Sequence, residues 1–382
     1  MIKDAAQLAS LIEQIESADR VAVDTEADSL HSYREKLCLL QISVPAAGFA
    51  ASVDTGLQMA ESHQPRRAVC DFLVDPLADT DLEPLRGALE TREIVLHGAD
   101  YDLRMLRRGL NLLSRQIFDT LIAARLLGIR EFSLAALVKR YFGHTLLKGS
   151  QKANWGQRPL PTRMAEYAIN DVHYLLPLAE KLEAELNQCE RRDWLQQSCQ
   201  RAIELAAVAR IRDQDELWRI RGSGALRGRE AAILRALWLW REKEAEQADR
   251  PPFHILRNED LLKSAVKFTA GSVPDYKHFS SRRRQAFREA AQAGLRAPES
   301  EWPVSRRRSG TRPTTETVQR AEELRRRRNK AAEKLGLEPS FIAPRSTLEA
   351  IAANDSRAPA LLVPWQRQLL GVSVCEEKAS SP

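Results

Sequence analysis

Apolar positions recur at helical spacing over residues 6–16, after which Val21-Ala22-Val23 runs as a short strand into acidic residues. Residues 37–43 and 48–52 are short apolar runs of strand type, so three strands are expected in succession. After Pro76 the rhythm changes to a helix over 82–90, a strand at 94–96, a helix over 101–108, a strand at 116–118 and helices from Thr120 onward. Strands first, then alternating helix and strand, predict an α/β domain with a mixed sheet flanked by helices. Residues 148–161, with two glycines and two prolines, read as a loop, and 162–186 as a long helix interrupted near Pro177.

From about residue 205 the strand signals fade, and helical patterns alternate with polar breaks at 221–224, 250–252 and 297–315, so the second half is expected to be all-helical. It contains an internal repeat. A shift of 87 residues pairs Leu237, Arg241, Ala245, Pro252, Ile255, Leu261 and Ala265 with identical residues at Leu324, Arg328, Ala332, Pro339, Ile342, Leu348 and Ala352. Two copies of one small helical domain are implied, at 206–295 and 316–375, following a first domain at 1–205 and preceding a tail at 376–382. Residues 296–315 between them carry three prolines and Arg306-Arg307-Arg308, which is linker composition.

At 382 residues, two or three domains are expected. With 43% hydrophobic and 29% charged residues the chain is globular, neither disordered nor fibrous. No run approaches the roughly 18 to 20 apolar residues of a membrane helix, and the start lacks signal-peptide character, so a cytoplasmic protein with no membrane partner is expected. Five scattered cysteines suggest neither a disulfide framework nor a zinc site and are expected to be reduced, mostly buried thiols. The net charge of +6 hides an asymmetry, since residues 1–205 hold 24 basic against 29 acidic side chains and residues 206–382 hold 34 against 23. An acidic half and a basic half imply different tasks.

The strand ending in Asp24-Thr25-Glu26 departs from the usual turn chemistry, and period-two geometry puts both acids on one face. Paired carboxylates repel unless a cation neutralises them, and hard divalent ions take oxygen ligands. The alternative is that the acids cap a turn. In His97-Gly98-Ala99-Asp100-Tyr101-Asp102 a strand passes through a glycine turn into a helix; Asp100 reads as a cap or dipole partner and Asp102 as the better ligand candidate. Tyr167 and Asp171, four apart, share a helix face, as a phenol and an acid aimed at one attacking water would, or as an exposed hydrogen-bonded pair would. His173 reads as a packed, hydrogen-bonded histidine, Asp119 as the cap of the helix from Thr120, and Gly222-Ser223-Gly224 as a turn.

Asp24-x-Glu26, Asp102 after His97-Gly98-Ala99, and Tyr167-x-x-x-Asp171 resemble the three exonuclease motifs of the DEDD superfamily, in the subgroup whose third motif has tyrosine. More closely, residues 24–43 (DTEADSLHSYREKLCLLQIS), 118–121 (FDTL) and 148–160 (KGSQKANWGQRPL) resemble the ribonuclease D family, and the repeated helical halves resemble HRDC domains. The resemblance covers almost the whole chain, strongest over 18–176 and weakest over 315–375.

The resemblance implies a ribonuclease H-like fold and a 3′→5′ exoribonuclease that releases 5′-mononucleotides and trims tRNA precursors and other structured RNAs. Asp24, Glu26, Asp102 and Asp171 would then hold two Mg²⁺ or Mn²⁺ ions, and Tyr167 would orient or help deprotonate the attacking water; with an ordinary pKa near 10 it is a poor base at neutral pH. Lys148, Gln151, Trp155 and Arg158 remain from the family pattern K-x-x-Q-x-S-D-W-x-x-R-P-L and are expected to approach the substrate, although Ala153-Asn154 replaces Ser-Asp. For Trp155 the competing reading is a packed loop anchor. Arg282-Arg283-Arg284, Arg306-Arg307-Arg308 and the arginines at 325–328 suggest a phosphate footprint for RNA; no protein partner is evident. A DNA exonuclease of the same superfamily and a non-catalytic RNA-binding protein are the alternatives, the second disfavoured because all four acids and the tyrosine are present.

Overall fold

The structure is a computed structural model in which residues 1–46, 69–146, 149–208, 213, 216–304 and 313–372 are described. The strand expected at 48–52, Lys148, Arg306-Arg307-Arg308 and the 376–382 tail lie outside the described residues. Strands β1 (Arg20–Ala27), β2 (Leu37–Pro45) and β3 (Val69–Val74) are antiparallel neighbours. β1 also pairs in parallel with β4 (Glu93–Leu96), and β4 with β5 (Gln116–Asp119), so the sheet order is β3-β2-β1-β4-β5. This is the mixed sheet the chain pattern predicts, with the acid-bearing strand at its centre. β3 itself escaped the pattern because Asp71 interrupts its apolar run, and aspartate is depleted in strands.

Helices α1 (Ala5–Glu16), α2 (Glu83–Glu90), α3 (Asp100–Leu110), α4 (Thr120–Leu126), α5 (Leu134–Phe142), α6 (Thr162–His173), α7 (Leu175–Gln188) and α8 (Arg192–Ala207) flank the sheet. α6 lies against β1, β2 and β3, α7 against β1 and β4, and α8 along β5. Eight of the nine β2 residues are buried, as expected for a strand covered on both faces. The break between α6 and α7 falls at Tyr174, three residues before Pro177. Proline sits instead in the first turn of α7, where its missing N–H removes no intrahelical bond. Of the thiols, Cys38 and Cys199 are buried, Cys70 is partly buried and Cys189 is exposed.

The chain divides into two compact units. The first holds the sheet, α1–α8 and the residues from 313 to 372; the second holds residues 28–36 and 216–304. All regular structure after residue 205 is helical among the described residues: α9 (Gly228–Gln247), α10 (Pro252–Ile255), α11 (Asn258–Thr269) and α12 (Ser281–Arg296), then α13 (Thr315–Leu335), α14 (Pro339–Ile342), α15 (Arg345–Ala353), α16 (Ala358–Leu361) and α17 (Pro364–Leu370). The 87-residue repeat is structural. α9, α10 and α11 begin at 228, 252 and 258, and α13, α14 and α15 begin at 315, 339 and 345. The Arg241 guanidinium donates to the Leu256 carbonyl at 3.2 Å, and its counterpart Arg328 donates to the Ala343 carbonyl at 2.9 Å. The paired leucines, isoleucines and alanines are all buried.

The second repeat does not stand apart from the first domain. Ala332, Leu337, Ile342, Val363 and Trp365 belong to the same apolar core as the sheet and α1–α8. Trp365 stacks on Trp194 of α8 at 4.9 Å with an interplanar angle of 8°, and its indole N–H donates to the Ser198 hydroxyl at 3.0 Å. Among the described residues, no helix is long and apolar enough to cross a membrane.

Candidate active site

β1 ends in two acids because the sheet core ends there: Val21, Ala22 and Val23 are fully buried, and the next residues reach the rim. Asp24 and Glu26 share one face of the strand, and α6 packs over that face with Tyr167 and Asp171 one turn apart. The result is a cluster in which Asp24, Glu26 and Asp171 each offer a carboxylate oxygen, all within 4.8 Å of one another. Asp102, in the first turn of α3, stands beside this trio; its Oδ1 accepts a 2.5 Å hydrogen bond from the Thr25 hydroxyl. The turn that delivers it needs Gly98, whose φ of 79° lies in the left-handed region.

The electrostatics follow from enclosure. Burial, then the charges of Asp102, Asp171 and Glu26, hold the Asp24 carboxyl well above the usual carboxylate range. Burial and the charges of Asp171 and Asp102 push Glu26 from 4.5 up to about 9. Asp102 rises to about 7 through burial, opposed by its hydrogen bonds from Thr25, and Asp171 to about 6 through burial, opposed by the Tyr167 hydrogen bond. An enclosed, mutually repelling, oxygen-only donor set is what a hard divalent cation takes, so the residues present fit a divalent metal.

The metal-free protein is therefore expected to lose stability as pH rises. Glu26 holds a proton in the fold that the unfolded chain gives up, so between pH 4.5 and about 9 the folded state binds more protons and the slope of stability against pH is negative. In EDTA, Glu26→Gln should melt with the parent near pH 4.5 and above it by pH 9, while the Mn²⁺ concentration that half-stabilises the parent should fall as pH rises. Melting curves across that window check both; a parent–variant difference that does not grow with pH contradicts the account.

Tyr167 is 7% exposed, with its ring 6.2 Å from that of Trp155. The Asp171 carboxylate and the Gln151 amide lie beside its phenol, and burial, then the charge of Asp171, raises its pKa above the ordinary 10. Trp155 is fully buried beneath the tyrosine among Cys38, Leu39, Leu73 and Met164, so it anchors the loop and cannot stack on a base. Arg158 is also a correction. Its guanidinium grips Asp75 at 2.6 and 2.7 Å and donates to the carbonyls of Cys38, Trp155 and Gln157, which closes the loop and leaves nothing for phosphate. Arg282 and Arg283 share the buried Glu244 at 3.0 and 3.1 Å, and Arg284 pairs with Asp275 at 2.8 Å. That trio fixes the start of α12 with ion pairs rather than presenting three free cations.

Asp100 is an exposed first-turn residue paired with Arg104, not a ligand and not the cap. Asp119 does more than cap α4: it accepts from Leu121 and Ile122 and also from the Gly98 and Ala99 amides at 3.0 and 2.8 Å, tying the start of α4 to the turn that carries Asp102. His173 is hydrogen-bonded to Asp71 at 2.6 Å, a bond that raises its pKa, and serves packing. The sequence reading missed Thr25, whose hydroxyl holds Asp102; Gln41, a lone amide inside the apolar run LCLLQIS, is fully buried opposite Asp24.

Carboxylates from a central strand and from a covering helix, with a helix-borne tyrosine beside them, form a candidate metal site, and the family described as 3'-5' exonuclease matches residues 1–187, with the HRDC domain family matching 230–268. The chain is 33% identical to ribonuclease D of Zymomonas mobilis over 70% of its own length and 63% of that protein's, and 30% identical to ribonuclease D of Escherichia coli over 72% and 67%. The solved structure of Escherichia coli RNase D superposes with a TM-score of 0.66 at 22% identity, covering 97% of this chain and 96% of that one. The chain belongs to the ribonuclease D family of 3′→5′ exoribonucleases.

Proposed function

We propose that this chain removes 5′-mononucleotides from RNA 3′ ends, trimming tRNA precursors or other structured RNAs. The observation that carries the reading is the convergence of Asp24, Glu26 and Asp171 within 4.8 Å beneath Tyr167. Those three acids, with Asp102 as the fourth, would hold two Mg²⁺ or Mn²⁺ ions, which when bound supply charge neutralisation at the phosphodiester and activation of water. Thr25 keeps the Asp102 carboxylate oriented. Tyr167, supported from below by Trp155 and held laterally by Asp171 and Gln151, keeps its proton at neutral pH and directs the attacking water by hydrogen bonding rather than by abstracting a proton.

HRDC-type domains are proposed at 206–295 and 316–375, joined by 296–315, a division supported for the first by the HRDC match and for the second by the repeated Arg328 contact. The test is a 3′-overhanging tRNA precursor beside the equivalent DNA strand, incubated with Mg²⁺, Mn²⁺ or EDTA. Stepwise metal-dependent release from RNA is expected; preference for DNA, or tight binding without cleavage, contradicts the proposal. Tyr167→Phe should keep the fold, because the ring stays on Trp155, yet lower kcat by about 10²-fold with little change in KM. An unaltered kcat removes the water-directing role.

A further inference from the structure

A row of polar groups runs across the sheet beneath α6 without partners. Gln41 and Ser43 are both fully buried; neither amide atom of Gln41 nor the Ser43 hydroxyl has a hydrogen-bond partner, and Asp71 Oδ1 has none although its Oδ2 binds His173. The register explains the alignment. Asp24 is paired with Gln41, Ala22 with Ser43, and Ser43 with Asp71, so these side chains lie on the face that carries Asp24. The alternate β2 residues Leu40, Ile42 and Val44 are fully buried apolar side chains on the opposite face. A buried carboxamide with no partner weakens a fold, and an apolar isostere would be tolerated or preferred, so packing alone gives no reason for glutamine at this position.

Resting on the metal-site reading above, we propose that Gln41 is a positioning residue of the active site: its carboxamide N–H donates to the Asp24 carboxylate across the β1–β2 pair when a divalent cation is held, with Ser43 supporting the carboxamide from the next position on the same face. A donor aimed from the sheet fixes which Asp24 oxygen faces the cation, and such outer hydrogen bonds typically govern metal affinity by about 10- to 100-fold. The carboxamide touches neither substrate nor reacting atoms.

The test titrates the full chain with Mn²⁺ alone by isothermal calorimetry and records melting temperature in EDTA, for the parent, Gln41→Met and the shorter, branched Gln41→Leu. The expected result is a Kd for Mn²⁺ raised about 10-fold in whichever variant folds, with melting in EDTA equal to or above the parent. A structural role alone would move melting and leave Mn²⁺ affinity unchanged, and that outcome overturns the proposal. A parent that binds no Mn²⁺ overturns the metal site itself and this inference with it, which separates the two failures.

Discussion

Asp24→Asn is expected to lower the rate of nucleotide release by about 10³-fold or more, roughly 4 kcal/mol of transition-state stabilisation, while the protein stays folded. The side chain sits in the centre of the acid cluster, where burial and three neighbouring carboxyls oppose its ionisation. Asparagine keeps the shape but replaces an anionic ligand atom with an amide, so the remaining acids hold a cation more weakly. The fold should gain rather than suffer, because one member of a repelling set has been neutralised. Melting with and without Mn²⁺ separates the effects: the variant in EDTA should match or exceed the parent, and the Mn²⁺-induced rise should largely vanish. Loss of activity together with an unchanged Mn²⁺-induced rise would place Asp24 outside the metal site.

How much of this was legible beforehand varied with the kind of signal. The central strand and its two acids could be read because a period of two is local: Val21 to Glu26 announces which residues share a face without knowledge of any other strand. Tyr167 and Asp171 were readable for the same reason at helical spacing. Arg158 was not, because its role depends on Asp75 and on the carbonyl of Cys38, both distant in sequence, and an arginine in a glycine- and proline-rich loop looks the same whether it awaits a phosphate or clasps a carboxylate. Trp155 stayed open between stacking and anchoring for the same reason, since only the packing of α6 over β2 decides that its ring is enclosed. Arg282, Arg283 and Arg284 show the limit of counting charge, because Glu244 lies close only after α9 and α12 have packed, and Asp275 only after the segment before α12 has folded back on it. The repeat was legible as seven identities, but a repeat predicts a copy of a fold and says nothing about what the copy packs against.

Trp365→Ala should destabilise the first compact unit by about 3–5 kcal/mol, the usual range for deleting a buried tryptophan, and lower its melting temperature on the order of 10 °C. The indole is 1% exposed, stacks on Trp194 and contacts Phe341 at 5.9 Å between ring centroids. Its ring N–H donates to Ser198 and its backbone N–H to Gln197, both on α8, so the truncation removes the stack and the indole bond and leaves only the backbone one. Arg191, which donates to the carbonyls of Leu126 and Leu335, and Arg201, which donates to the carbonyl of Ala360, would remain as polar ties along the same contact. Trp365→Phe keeps the stack and loses only the indole hydrogen bond, so it should retain most of the stability. Thermal unfolding of the pair, with limited proteolysis near residue 313 as the local readout, distinguishes a docked repeat from an independent one: equal melting of Trp365→Ala and the parent would mean that the second repeat contributes nothing to the core it covers. If the expected loss is found, removing residues 206–382 should itself destabilise the exonuclease core, because the deletion strips Ile342, Val363 and Trp365 from it.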